Sequence, residues 1–309
     1  MKHAIVWRSL VFLLITYLPA HALPPKMESP VHQIQGIPLK FNLKPGEKYL
    51  FSSTVEQNIT QEMMGQRVTT QQNIVSDYIY DVQATTNGIT TINIIFKAIK
   101  MDANVAGGMQ QLHFDSDDPE GSTNELKVMN NLIGKSFLME IDEAGSVKRI
   151  EGLGEIMASM NEEHAEFLKQ SFGDSTMMHN LNQITNIYPN KTVVTGDNWT
   201  KQFSGSLAGM LHSTATSEFT LSEIKSNIAV LTVNGKMALS KLENTSIPIL
   251  QEAEFDLQGT QTGTLEVDID SGLPVLSQIK QNVNGSLSIQ GMQVPMTIAS
   301  NMTITGKKM

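Results

Sequence analysis

Apolar and polar residues alternate with a period of two along most of this chain, over segments much longer than the usual five- or six-residue strand. Leu39, Phe41 and Leu43 alternate with Pro38, Lys40 and Asn42, which predicts a half-buried strand from Ile37. Tyr49 and Phe51 open a second extended segment that runs through Val55 and Ile59 to Met63. It turns near Gly65 and returns from Val68 towards Val82. Asn87-Gly88 is the sharpest hairpin signal, because Asn-Gly suits the left-handed backbone of a type I′ turn. Ile92, Ile94 and Phe96 continue the alternation beyond it. Phe137, Met139 and Ile141 resume it before the turn at Glu143-Ala144-Gly145, and extended character returns from Val193 to the end. A chain patterned in this way is mainly β. Its strands are only half apolar, so each needs one covered face, as in a half-barrel or an open sandwich.

One region breaks the pattern. Leu153, Ile156, Met157, Met160, His164, Phe167, Leu168 and Phe172 fall three and four apart, which predicts a helix over 153–172 that stops at Gly173. Burying such a stripe contributes on the order of 12–24 kcal/mol before entropy is charged, which favours a structural helix over a mobile lid. A shorter helix is predicted from Ser175 to Tyr188, ended by Pro189.

The two β regions share landmarks in the same order. Pro45-Gly46-Glu47-Lys48-Tyr49 matches Thr195-Gly196-Asp197-Asn198-Trp199. Asn87-Gly88 has a counterpart in Asn234-Gly235 or in Lys225-Ser226-Asn227. Met139-Glu140-Ile141-Asp142 with Gly145 matches Leu265-Glu266-Val267-Asp268 with Gly272. The expected organisation is two similar long-stranded antiparallel β units, 37–151 and 191–309, related by internal duplication and joined by a helical connector at 152–190.

The first 22 residues read as a secretory signal peptide. Lys2 and Arg8 precede the apolar run Leu10 to Leu18, and Ala20-His21-Ala22 is an A-x-A cleavage site. The run is shorter than the roughly 18 residues that span a bilayer, and no other segment is long and apolar enough to do so. Cleavage after Ala22 removes two cations and no acid, so the mature chain is more acidic than the net −9 of the whole. The Pro-rich stretch 23–36 reads as a flexible leader. The expected location is the periplasm or the exterior of a bacterium, because the chain has no cysteine and eukaryotic secreted domains are commonly stapled by disulfides.

The acidic balance, 31 Asp+Glu against 22 Lys+Arg, argues against nucleic-acid binding. The absence of cysteine removes thiolate metal sites, iron–sulfur clusters and thiol catalysis. No H-E-x-x-H, G-x-S-x-G or phosphate-binding glycine loop occurs. His32, His113, His164, His179 and His212 form no close pair. No catalytic, cofactor-binding or metal-binding residue can be nominated and no cofactor is implied, so an enzyme is the less favoured reading. The carboxylates of Asp115, Asp117 and Asp118 could attract a hard cation, although Asp-rich turns are usually solvated. Asp268-x-Asp270-x-Gly272 resembles a calcium loop but reads better as a hairpin turn. Eighteen methionines, with doublets at Met63-Met64 and Met177-Met178, suit an adaptable apolar surface, whereas Met157-x-x-Met160 is a lone pair on a buried stripe and no copper-binding repeat.

Five runs carry a resemblance. They are Leu43-x-Pro45-Gly46-x-x-Tyr49, Asn58 to Gln66, Asp115 to Glu120, Ile133 to Phe137, and Tyr188-Pro189-x-Lys191-x-Val193-x-x-Gly196-Asp197-x-Trp199. Across most of residues 39–305 the chain resembles a family of bacterial exported, lipoprotein-like β-rich proteins known as a domain of unknown function. The resemblance implies no activity, cofactor or site, and this chain lacks the lipid-bearing cysteine of many members. The function expected is that of a non-catalytic envelope protein that binds a lipid or other hydrophobic ligand or acts as a scaffold. The alternatives are a module that binds an envelope protein by strand addition at its edges and, below it, a hydrolase using acids such as Glu140 and Asp142.

Overall fold

A computed structural model describes residues 36–309, except 64, 106–107, 159–167, 169–171, 208–210, 243–251 and 290. The signal peptide 1–22, nearly all of the leader 23–36, and His32, Met64, Met160, His164 and Phe167 lie outside the described residues.

The architecture is mainly β. Twelve strands form one antiparallel sheet: β1 (Lys48–Met63), β2 (Gln66–Thr86), β3 (Ile89–Val105), β4 (Gln110–Asp115), β5 (Ser136–Asp142), β6 (Val147–Glu151), β7 (Asn198–Leu207), β8 (Leu211–Lys225), β9 (Ile228–Lys241), β10 (Ala253–Asp268), β11 (Pro274–Ile289) and β12 (Met292–Lys308). Among the described residues, the helices α1 (Leu153–Ala158) and α2 (Asp174–Thr185) lie between β6 and β7, and the 3-10 segments Pro119–Gly121 and Asn124–Leu132 follow β4. Leu168 and Phe172 are also helical, so the predicted 153–172 helix is described at its two ends. Gly173 ends it as expected and is the N-cap of α2.

The strand order is β6-β5-β3-β2-β1-β12-β11-β10-β9-β8-β7, with β4 on β3 beyond the end of β5. This is an up-and-down meander in which the first and last strands pair, Tyr49 opposite Lys308 through Gln61 opposite Met296. The two β units are therefore one continuous sheet. A single pairing is missing from a full circle, that between β6 and β7, and α2 packs against both of these end strands. The backbone N–H of Val147 donates to Asn182 Oδ1 at 2.9 Å on one side of the helix, and Lys201 Nζ donates to Asn186 Oδ1 at 3.0 Å on the other. Trp199 Nε1 donates to the Ile187 carbonyl just beyond the helix. A helix fills this seam because its own backbone bonds are satisfied internally and its polar side chains can serve the unpaired strand edges.

The landmarks shared by the two halves hold matching hydrogen bonds. Gly46 N–H donates to the Val82 carbonyl at 2.8 Å, and Gly196 N–H donates to the Leu221 carbonyl at 2.8 Å. Val82 and Leu221 answer with bonds to the Glu47 and Asp197 carbonyls, and a bulge follows each of them in its strand. The next turns hold Asn87 at φ 52° and Ser226 at φ 55°. Ile89 then faces Asp142 in one half, and Ile228 faces Asp268 in the other. Lys225-Ser226-Asn227 is thus the true counterpart of Asn87-Gly88. Asn234-Gly235, the other sequence candidate, lies in mid-strand opposite Gln261.

Ile37–Leu43 joins no ladder, contrary to the expected strand. Its alternation is real, since Leu39, Phe41 and Leu43 are buried, but its backbone bonds go elsewhere. Ile37 exchanges bonds with Val193, Phe41 N–H reaches the Glu143 carbonyl, and Asn42 N–H reaches the Ser271 carbonyl. The segment crosses one end of the curved sheet, pinned to the connector and to two turns, and pushes its apolar side chains inward.

The interior has two apolar clusters. The larger takes residues from both halves, such as Phe96, Phe137, Leu221 and Val267. The smaller includes Ile59, Phe203, Leu239, Leu257 and Ile298. Between them a single row of inward positions crosses seven strands: Gln72 faces Gln57, Gln57 faces Ser300, Ser300 faces Gln281, Gln281 faces Gln261, Gln261 faces Gly235, and Gly235 faces Ser217. Gln72 Nε2 donates to Gln57 Oε1 at 2.5 Å, Gln57 Nε2 to Ser300 Oγ at 3.2 Å, Gln281 Nε2 to Gln261 Oε1 at 3.1 Å, and Gln261 Nε2 to Ser217 Oγ at 2.5 Å. The last bond passes over Gly235, where a Cβ would stand 2.9 Å from both Gln261 Cγ and Ser217 Oγ. The belt fixes register. A one-residue slip would turn its amides outward, and a two-residue slip would set Gln57 against residues such as Ile74 of β2 or Ile298 and Met302 of β12, which offer its amide no partner.

Candidate functional site

A cavity of about 170 Å³ lies between α2 and the inner face of the sheet. Met177, Leu181 and Ile184 lie four and three residues apart on α2 and form its roof. Its walls are aromatic and aliphatic. Phe51 stacks on Tyr80 with ring centroids 4.2 Å apart, and Tyr78 meets Phe96 at 5.4 Å. Phe96 in turn meets Phe137 at 5.7 Å and Phe172 at 6.0 Å. Five methionines line the space, from five different elements: Met101, Met129, Met177, Met237 and Met302. The methionine enrichment read from the sequence is therefore partly spent on the walls of one cavity, where unbranched thioethers fit irregular shapes.

The space exists because the inner face carries small residues. Ser53 of β1 faces Ser76 of β2, and Ser213 of β8 is also in the wall. Burial pushes the Tyr78 phenol up to about 12, a rise tempered by a hydrogen bond with Ser76, and burial also raises Tyr80. Both phenols stay neutral. Gln281, from the polar belt, reaches the cavity from one side.

The seam beside the cavity holds two titratable groups. His179 of α2 packs on Gly205 of β7, where a Cβ would stand 2.6 Å from the ring. The Gln183 amide lies 2.6 Å from His179 Nε2. Burial, with the nearby His212, lowers the His179 pKa to about 4. Burial also lowers Lys201. The imidazole is neutral when folded, so the unfolded chain binds the extra proton between about pH 6.5 and 4. Stability from this group is complete above pH 6.5 and falls as the solution is acidified towards 4, by up to about 3 kcal/mol. Urea unfolding at pH 7 and at pH 4.5 checks this. His179→Gln should lose less stability between the two than the parent, and equal losses would contradict the assignment.

The acidic groups noted in the sequence serve turns and ion pairs. Lys100 Nζ lies 3.0 Å from Asp115 and 2.7 Å from Asp117, and Asp118 Oδ1 caps Gly121 N–H. The Asp117 N–H, followed by Lys100, lowers the Asp115 pKa. His113 Nδ1 is 2.7 Å from Asp102. Burial opposes ionisation of Asp268, but bonds from Ser271, Asn227 and Asp270 outweigh it and hold the carboxyl below its usual value. Glu140 and Asp142 each have their own cation, Arg149 at 3.5 Å and Lys148 at 2.7 Å. Sequence reasoning expected an apolar ligand against a curved sheet but nominated none of the residues that line the cavity. The signal was the phase of Ser53, Val55, Gln57 and Ile59, where serine and glutamine share one face with apolar residues.

The model of a family described as "Family of unknown function (DUF6263)" matches residues 87–274, well over half of the chain. The chain belongs to this family. No curated protein matches it. Among solved structures, one titled "Lipid-protein interactions in lipovitellin" is similar at a TM-score of 0.50 and 9% identity, over 86% of this chain and 25% of that one. The chain thus spans a quarter of the lipovitellin chain, and the likeness is one of fold. OccK7 (OpdD) of Pseudomonas aeruginosa aligns at a TM-score of 0.27 and 6% identity, over 85% of this chain and 100% of that one. Among the described residues of this DUF6263 member, no helix is long and apolar enough to cross a membrane.

Proposed function

We propose that this protein is a non-catalytic holder or carrier of an apolar ligand, exported to the bacterial envelope by residues 1–22 and released after Ala22. The observation that carries the reading is the cavity beneath α2, about 170 Å³ and walled by methionine and aromatic side chains. An engineered cavity of about 150 Å³ with comparable walls stays dry and takes up benzene. This space therefore suits a ring-sized molecule or the tip of a lipid chain, and is too small for a whole phospholipid while α2 is in place. The lipovitellin structure, titled for lipid–protein interactions, supports the reading as an analogy of fold.

Strand addition to a partner is less well supported, because α2 packs on both end strands and the backbone of β4 is bonded to Ser122 and Thr123. Native mass spectrometry of protein purified from its own host tests the proposal. The expected result is a retained small apolar mass, absent from Ile184→Trp, whose indole fills the space from the roof. Toluene affinity should fall about tenfold or more in the same variant, while overpacking costs roughly 1–3 kcal/mol of stability. A parent that binds neither host molecule nor toluene would contradict the carrier reading.

A further inference from the structure

The cavity has a chemical signature beyond its greasiness. Among the described residues that line it there is no lysine, arginine, histidine, aspartate or glutamate. The Tyr78 and Tyr80 phenols in the wall are held neutral by burial, and the His179 and Lys201 side chains of the adjoining seam are turned to other tasks. His179 is 4% exposed and neutral against Gly205, and Lys201 is bonded to Asn186. An ionised group moved here would lose its hydration and gain no counter-charge, a large penalty that favours exclusion.

Polar groups in the lining nonetheless lack hydrogen-bond partners, among them Ser52, Ser53, Asn180, Ser213 Oγ and Gln281 Oε1. Asn180 sits on the roof between Met177 and Leu181 on the cavity-facing side of α2. Ser53 is on the opposite wall and, unlike Ser76, makes no side-chain bond. Ser213 Oγ is fully buried and unpaired. Ser213 Oγ and Gln281 Oε1 are buried, so leaving them unpaired is costly, and half-buried Asn180 brings an amide with no side-chain partner to the same space.

We propose that the ligand is a neutral amphiphile of about the size of a substituted aromatic ring, bearing one hydroxyl- or amide-like group that Asn180 satisfies with help from Ser53. This deepens the carrier reading and rests on it. Asn180 sets the preference among ligands, while the methionine and aromatic walls supply affinity common to all of them. Specificity of this kind is strong because a site built to bond a hydroxyl leaves its own polar groups unpaired when the hydroxyl is missing.

Three probes of one shape test it on the full chain: toluene, p-cresol and p-toluate. Titration calorimetry should show p-cresol binding about tenfold more tightly than toluene and p-toluate at least a hundredfold more weakly than p-cresol. Asn180→Leu should equalise p-cresol and toluene while leaving toluene within about twofold of the parent. Thermal unfolding of the variant confirms that it folds, since position 180 is only half-buried. If toluene binds and p-cresol gains nothing, or if p-toluate binds as well as p-cresol, the neutral-amphiphile assignment falls and the carrier reading stands. If Asn180→Leu keeps the preference for p-cresol, the role of Asn180 falls. If neither toluene nor p-cresol binds, the carrier reading falls and takes this one with it.

Discussion

Gly145→Ala should destabilise the protein by roughly 3–5 kcal/mol and loosen α2 from the sheet. Gly145 closes the turn between β5 and β6 at φ +78°, and a Cβ there would stand 1.7 Å from the Thr185 carbonyl oxygen. Thr185 ends α2 and returns the contact, its hydroxyl donating to the Gly145 carbonyl at 2.7 Å and to the Leu181 carbonyl at 2.9 Å. Tyr188 stands against the same glycine and donates from its hydroxyl to the carbonyl of Gly272, the corresponding turn of the second half. A methyl group at 145 therefore strikes the point where the helix end, the connector and both halves meet. Gly134→Ala is the control. Gly134 has a similar φ of +76° with nothing within 4 Å of its Cβ position, so it reports backbone strain alone, about 1 kcal/mol. Urea midpoints of the two variants separate strain from collision. Equal losses would mean that the turn and the helix are not in contact as described.

Phe96→Ala should cost about 3–5 kcal/mol, with an unfolding slope close to that of the parent. Phe96 is fully buried on β3, and its ring meets Tyr78, Phe137 and Phe172. It joins strands of the first unit to the end of the helical connector. The loss combines transfer of a whole ring, the hole left behind and three aromatic contacts of about 0.5–1.5 kcal/mol each, which are not additive. Leu138, on the neighbouring strand but facing outward and 39% exposed, is the matched control, with a loss below about 1 kcal/mol on truncation. A small effect at Phe96 would show that the core is looser than described.

Much of the fold was legible because its strands obey local rules. The hairpin between β1 and β2 turns at Gly65, and Asn87-Gly88 adopts the left-handed backbone its residues favour. The glycine and aspartate landmarks of the two halves proved to hold matching hydrogen bonds, since the same turn chemistry recurs wherever a strand must end. The second predicted helix, Ser175 to Tyr188, corresponds to α2 at Asp174–Thr185.

What was not legible depends on partners distant in sequence. Ile37 to Leu43 has the alternation of a strand but only a single bridge, Ile37 to Val193, because its other backbone partners are two turns more than 100 residues onward. Gln57, Gln61 and Gln72 alternate like surface residues and are buried, because each has a bonded or packed neighbour that only the register of the sheet supplies. The pairing of β1 with β12, which makes two units into one sheet, joins residues more than 230 positions apart and leaves no local trace. The cavity is still further removed, being a shortage of side-chain volume summed over many strands.

Crystals of the full chain equilibrated with xenon test the central claim most directly. A mostly apolar, uncharged space beneath α2 should hold a xenon atom between the helix and the sheet, in contact with Met177, Leu181, Tyr78 and Phe137. A helix packed directly on β1 and β2 with no xenon between them, or β6 and β7 paired to each other with α2 displaced, would contradict it.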